Sequence, residues 1–183
     1  GHDVKFFGAT SGKYMLWDES ADALYIESNA SVPLTITSTD AGAGIGPAIN
    51  LHRNSASPAD GDTIGVIYFN GEDDASNATT YAYISGTMTD VSNGSEDGQL
   101  NIIVNKAGTL ASVATIKSTE FILNENGVDI DFRVESDGNA NMLFVDGGNN
   151  KVSIGTNTSD GTLHVYTASA GSVAAASSTD DLI

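Results

Sequence analysis

The sequence contains no cysteine. That excludes a disulfide framework and a thiolate metal site, so stability must come from packing and hydrogen bonding. Basic residues are nearly as scarce: seven Lys plus Arg stand against 24 Asp plus Glu, a formal charge of -17. A surface of that sign repels phosphate backbones and anionic lipid headgroups, so neither nucleic acid nor membrane is an expected partner. No apolar run approaches the roughly 18 residues of a membrane-spanning helix. Helix formers are sparse too, and no segment shows convincing helical periodicity. The charged fraction is only 17%, and the balance is Ser, Thr, Asn and Gly, a mixture typical of β-rich extracellular and virion proteins.

Hydrophobic residues nevertheless make up 40% of the chain, in short alternating runs bounded by Gly, Asn, Asp or Ser. This pattern predicts an all-β fold. Strands are expected at 4–6, 15–17, 24–26 and 32–36, then at 63–69, 81–88, 100–104, 113–116 and 121–123. A Gly-rich break, AGAGIGPA at 41–48, separates the two groups, and turn chemistry such as FNGEDDASN at 69–77 and DVSNGSEDGQ at 90–99 fills the connections. Near the end, VESDGNANMLFVD (134–146) and KVSIG (151–155) read as two further strands joined by a Gly/Asn turn.

The two ends repeat each other. YMLWDESADALYI at 14–26 aligns with MLFVDGGNNKVSI at 142–154, Asp18 matching Asp146 at an offset of 128 residues (146 − 18). Upstream VKF (4–6) resembles IDF (130–132), and downstream PLTI (33–36) resembles TLHV (162–165). The expected organisation is an N-terminal β module at 1–40, a central β-rich block at 41–126, a second copy of the module at 127–166 and an Ala/Ser-rich linker at 167–183. With no initiating Met and an end at SSTDDLI, the sequence reads as a piece of a longer protein. Each module has too few large side chains to close a core alone. The bricks therefore need to share apolar faces, either along the chain or between chains, and a parallel homotrimer, prism-like or intertwined, is one arrangement that satisfies this while shielding strand edges. The inward residues expected are Leu16, Leu24, Ile26, Leu143, Val145, Val152 and Ile154.

Reactive chemistry is thin. Of His2, His52 and His164, the first sits at an end and the last inside the strand-like TLHVY, whereas His52 is followed by Arg53 with Asp60 and Asp62 close in sequence. No G-x-S-x-G elbow and no strand-to-helix G-x-G-x-x-G occurs, so esterase and dinucleotide sites lack support. Carboxylates cluster at Glu72-Asp73-Asp74, Glu96-Asp97 and Asp129/Asp131. Oxygen-rich loops suit calcium, yet DGNAN at 137–141 lacks the later glycine and Glu of an EF-hand loop. These clusters read as solvated turns, and Asp18 and Asp146 as side chains capping turn amides. No catalytic residue, cofactor or metal ligand is expected. Tyr81 and Tyr83, placed on one strand face by period 2, fill a core if buried and offer a sugar-stacking surface if exposed.

The stretch DFRVESDGNANMLFVDGGNNKVSIGT followed by TLHV resembles a module of tail-fibre proteins of tailed bacteriophages, especially marine ones. GHDVKFFGATSGKYMLWDESADALYI resembles a second such module, and the segment from INLHRNS to STEFILN the block that commonly lies between them. The resemblance implies a homotrimeric, β-structured fibre shaft on the virion, outside the cell, joined to other fibre or tail proteins, and it transfers no catalytic residue. The expected function is thus a structural spacer between virion and host-recognition tip. The alternatives are a glycan-binding or polysaccharide-degrading module that grips host surface polysaccharide, and a bacterial surface adhesin or filament subunit.

Overall fold

The computed structural model describes residues 2–166; the linker expected at 167–183 lies outside the described residues. Among these, all regular structure is β, as the alternating runs require, and it falls into three sheets. The chain parts into two compact units between Asn50 and Leu51.

The first unit holds β1 (Val4–Phe7), β2 (Tyr14–Asp18) and β3 (Ala23–Glu27), an antiparallel sheet in that order. The segment 32–36, expected as a strand, forms none and runs irregularly. Its apolar side chains stay exposed, Val32 at 68% and Leu34 at 59%.

The second unit opens with a five-stranded antiparallel meander: β4 (Thr63–Glu72), β5 (Ala78–Asp90), β6 (Asp97–Lys106), β7 (Thr109–Ile116) and β8 (Phe121–Leu123). The first four run longer than the apolar runs that predicted them, because Asn, Thr and Gly at their ends extend the ladders, while β8 keeps its expected bounds. Gly65 lies opposite Gly86, and Leu51 packs so closely on Gly65 that a Cβ there would meet it at 2.8 Å.

A second sheet in this unit takes β9 (Phe132–Ser136), β10 (Asn139–Asp146), β11 (Lys151–Ile154) and β12 (Leu163–Val165) in the order β12-β11-β10-β9. The run VESDGNANMLFVD, expected as one strand, is instead two. Asp137-Gly138 supply a two-residue turn, and a bulge between Asn139 and Leu143 restores the register beyond it. The last strand, β12, lies parallel to β11.

Candidate functional site

The repeat seen in sequence recurs in the ladders. In the first copy Val4 lies opposite Trp17 and Lys5 opposite Leu16; in the second, Phe132 lies opposite Val145 and Arg133 opposite Phe144. Asp18 opposite Ala23 becomes Asp146 opposite Lys151. The offset is 128 residues (146 − 18) throughout, so the upstream match pairs Val4 with Phe132, two residues beyond the alignment of VKF with IDF.

The turn that carries the aspartate is built the same way twice. The amides of Ser20 and Ala21 donate to Asp18 Oδ1 at 3.0 and 3.1 Å, and the Asn149 amide donates to Asp146 Oδ1 at 2.7 Å. Both loops end on a left-handed non-glycine residue, Asp22 at φ 50° and Asn150 at φ 56°, a conformation that Asp and Asn tolerate best. Just before the first strand of each copy, Asp3 accepts the Glu19 amide and Asp131 the Gly147 amide, each at 3.0 Å. The Ser20 hydroxyl, then the Ala21 amide, hold the Asp18 carboxyl below the usual carboxylate range; the Asn149 side chain, then its amide, do the same for Asp146. Both aspartates therefore work as turn caps, as their position between two strands implied.

Period 2 then sorts the side chains by face. In the first copy Val4, Phe6, Met15, Trp17, Leu24 and Ile26 share one face, every one of them exposed. The matching face of the second copy carries Phe132, Val134, Leu143, Val145, Val152 and Ile154, and β12 extends it with Leu163 and Val165. Six of the seven expected inward residues fall on this face. The seventh does not: Leu16 pairs with Lys5 and Tyr25, on the opposite side from Leu24 and Ile26. Met15 and Trp17 hold the positions that answer to Leu143 and Val145. The offset of 128 pointed to them, since it aligns Leu16 with Phe144 rather than Leu143.

The central sheet repeats the pattern on a larger scale. One apolar row crosses all its strands: Ile67, Ile84, Ile102, Ala114 and Leu123 stand opposite one another in turn. Ile67 is 48% exposed and Ile102 37%. The other face holds the row Val66, Ser85, Asn101, Thr115 and Ile122, where Ser85 and Thr115 are buried. A globular sheet buries its apolar side and wets its polar one; in the isolated chain the large side chains of the apolar row stay exposed or half-buried, while Ser85 and Thr115 on the other face are buried. Among the described residues the buried apolar side chains are Ala111 and Ala114 alone.

The polar face forms a groove of about 390 Å³ lined by Tyr83, Gln99, Asn101, Ser112, Thr115 and Lys117, among others. The Ser112 and Thr115 hydroxyls lie 2.9 Å apart, Thr115 donates to Asn101 Oδ1 at 3.3 Å, and Asn126 Oδ1 accepts the Ser112 amide. Tyr83 stands 5.6 Å from Tyr68, ring centre to ring centre. Tyr81 does not join it. A register shift between Phe69 and Asn70 makes Tyr81 a bulge residue, and its ring lies over Gly71 with the hydroxyl donating to the Glu72 carbonyl at 3.2 Å. The alternation that placed both tyrosines on one face ends at that bulge.

The remaining polar clusters resolve into turns. Asp73 accepts the Ala75 and Asn77 amides, and the Asn77 side chain, then its amide, lower its pKa. Asp60 accepts the Val91 amide, Asp62 pairs with Arg53 at 3.1 Å, and His52 is exposed. His164 Nδ1 sits 3.0 Å from the Thr158 carbonyl, inside the connection to β12. Among the described residues no three His, Asp or Glu side chains converge as a metal site would require, and no helix is long and apolar enough to cross a membrane. No protein-family model matches the chain. No curated protein matches it either.

Proposed function

We propose that this chain is a shaft segment of a viral fibre, the tail fibre of a bacteriophage, in which three parallel copies share the apolar sheet faces that one copy leaves open. One observation carries the reading. The apolar face of the first sheet is exposed throughout, those of the other two sheets are exposed or half-buried but for small alanines, and the described residues bury only Ala111 and Ala114 among their apolar side chains. Exposed apolar patches of that extent mark association surfaces. At about 25 cal/mol per Å² of apolar surface removed from water, closing them supplies the stabilisation that the single chain lacks. The acidic surface, -17 per chain, keeps such an assembly soluble and disfavours side-by-side aggregation. In this reading the segment is a spacer outside the cell, its neighbours are other fibre or tail proteins, and no residue has a catalytic role. Light scattering on the purified chain tests it: the expected mass is three times that of one chain, and a stable monomer overturns the proposal.

The polar groove favours a second reading, a contact with host surface polysaccharide. Its volume lies in the range of small-ligand sites, and Tyr83 offers an aromatic wall beside amide and hydroxyl groups. Saturable binding of host-surface oligosaccharides that Tyr83→Ala abolishes would support it.

A further inference from the structure

The second copy of the hairpin carries a strand that the first lacks. In the second copy the Val152 N–H donates to the Thr162 carbonyl at 2.8 Å, and the Tyr166 N–H donates to the Ile154 carbonyl at 2.8 Å, which seats β12 along the outer edge of β11. The first copy has the same register, so the Leu24 N–H and the Ile26 carbonyl point outward from β3 in the same way. Nothing among the described residues pairs with that edge. Unpaired edges template the addition of another strand.

A strand of suitable sequence exists. Leu34, Thr35 and Ile36 match Leu163, His164 and Val165, apolar side chains flanking a polar one. Pro33 falls where Thr162 stands; that position supplies a carbonyl to the ladder, which proline retains, and the first residue of a strand is where proline is tolerated.

The same chain does not place this segment on its own edge, and three substitutions explain why. The return path of the second copy starts at Gly155, φ +82°, where a Cβ would meet the Tyr166 carbonyl oxygen at 2.5 Å. It is then held by the Ser153 hydroxyl donating to the Thr156 carbonyl at 2.6 Å and by Lys151 Nζ donating to the Ser159 carbonyl at 2.8 Å. In the first copy these positions are Glu27, Tyr25 and Ala23. A glutamate neither turns left-handed cheaply nor clears the approaching backbone, and neither tyrosine nor alanine supplies those anchors. The chain instead leaves β3 across the sheet, with Pro33 lining a hollow beside Phe6, Met15 and Ile26.

We infer that in the assembled protein the Val32–Ile36 segment of a second copy of this chain adds to the β3 edge as a parallel fourth strand, Thr35 opposite Tyr25 as His164 stands opposite Ser153. The exchange rests on the homotrimeric reading above and gives it a specific backbone contact: each chain lends one strand and receives one.

The absence of native cysteine makes the test direct. Tyr25→Cys and Thr35→Cys chains, co-expressed and treated with a short bifunctional thiol reagent, are expected to give a covalent heterodimer in high yield. The double variant is expected to give covalently closed multimers. A double variant linked only within single chains overturns the exchange, as does an assembled protein that yields no link. Amide hydrogen exchange on the unsubstituted assembly provides a second readout: slow exchange at Leu24 and Thr37 is expected, and fast exchange at both overturns the inference. Light scattering separates the two failures, since a trimer without the link refutes the exchange alone and a monomer refutes both.

Discussion

The two hairpins at the ends of this chain share a register residue for residue, yet one ends as three strands and the other as four. What they hold in common is the aspartate cap, the left-handed residue four places on, and an unbroken apolar face. What divides them lies on the other face, in the alternate positions Ala23, Tyr25 and Glu27 against Lys151, Ser153 and Gly155. The hairpin is therefore specified by its turn and its alternation, whereas the fourth strand depends on two hydrogen-bonding side chains and one glycine. Ser153 shows the result. It is fully buried, whereas Tyr25 at the matching position is 49% exposed.

The largest expected effect comes from attacking what the copies share. Leu143→Asp and its counterpart Met15→Asp place a carboxylate on the apolar face of each copy. Burying several unpaired carboxylates around one axis costs several kcal/mol per ion, so light scattering should find no trimer for either variant. Leu16→Asp, on the opposite face, should leave the trimer intact. A normal trimer from Leu143→Asp, or its loss only in Leu16→Asp, would reverse the assignment of faces.

A smaller effect should come from what divides them. Gly155→Glu gives the second copy the residue of the first. It forces a non-glycine side chain into a left-handed turn and against the Tyr166 carbonyl, which should cost about 1–3 kcal/mol. The midpoint of urea unfolding measures this, and loss of amide protection at Tyr166 would show that β12 has detached. The reverse change, Glu27→Gly, supplies the turn without its anchors and should shift stability by about 0.5 kcal/mol or less.

The smallest effect concerns the two caps and depends on pH. Both carboxyls have folded-state pKa values lowered from their ordinary 3.8. The unfolded chain therefore binds more protons in acid, and the caps contribute fully above about pH 4 and are lost as pH falls through their folded-state values. Asp18→Asn and Asp146→Asn should each flatten the acid limb of the stability profile by slightly lowering neutral stability while leaving stability in strong acid nearly unchanged. An unchanged acid limb in both variants would mean that the caps do not tune stability.

Much of this was legible in the sequence because alternation is a local signal. Strand positions, the repeat and the role of Asp18 and Asp146 follow from period 2 and turn residues. Other features did not follow, each for a physical reason. The segment 32–36 has strand composition, but a strand needs an edge to pair with, and the residues that would bring it to one lie five or more positions upstream. The tyrosine pair was separated by a bulge, which shifts the face of a side chain without altering the sequence pattern. The apolar row from Ile67 to Leu123 joins residues on five strands, so only the ladder registers assemble it. That Leu16 lies on the other face from the remaining six has a simpler reason: its two neighbours in MLW are equally apolar, and alternation cannot choose a face within an unbroken apolar run.

The connection between the first two strands of each copy has a further consequence. Between the pairs Phe6/Met15 and Val134/Leu143 the two copies have the same number of residues. The first copy folds them through a left-handed Gly12, while the second uses the bulge and the Asp137-Gly138 turn. Two unrelated conformations there leave the ladders beyond unchanged. That tip is thus free to vary in sequence and shape while the faces stay fixed, which makes it the natural place to graft a tag, an epitope or a new binding loop.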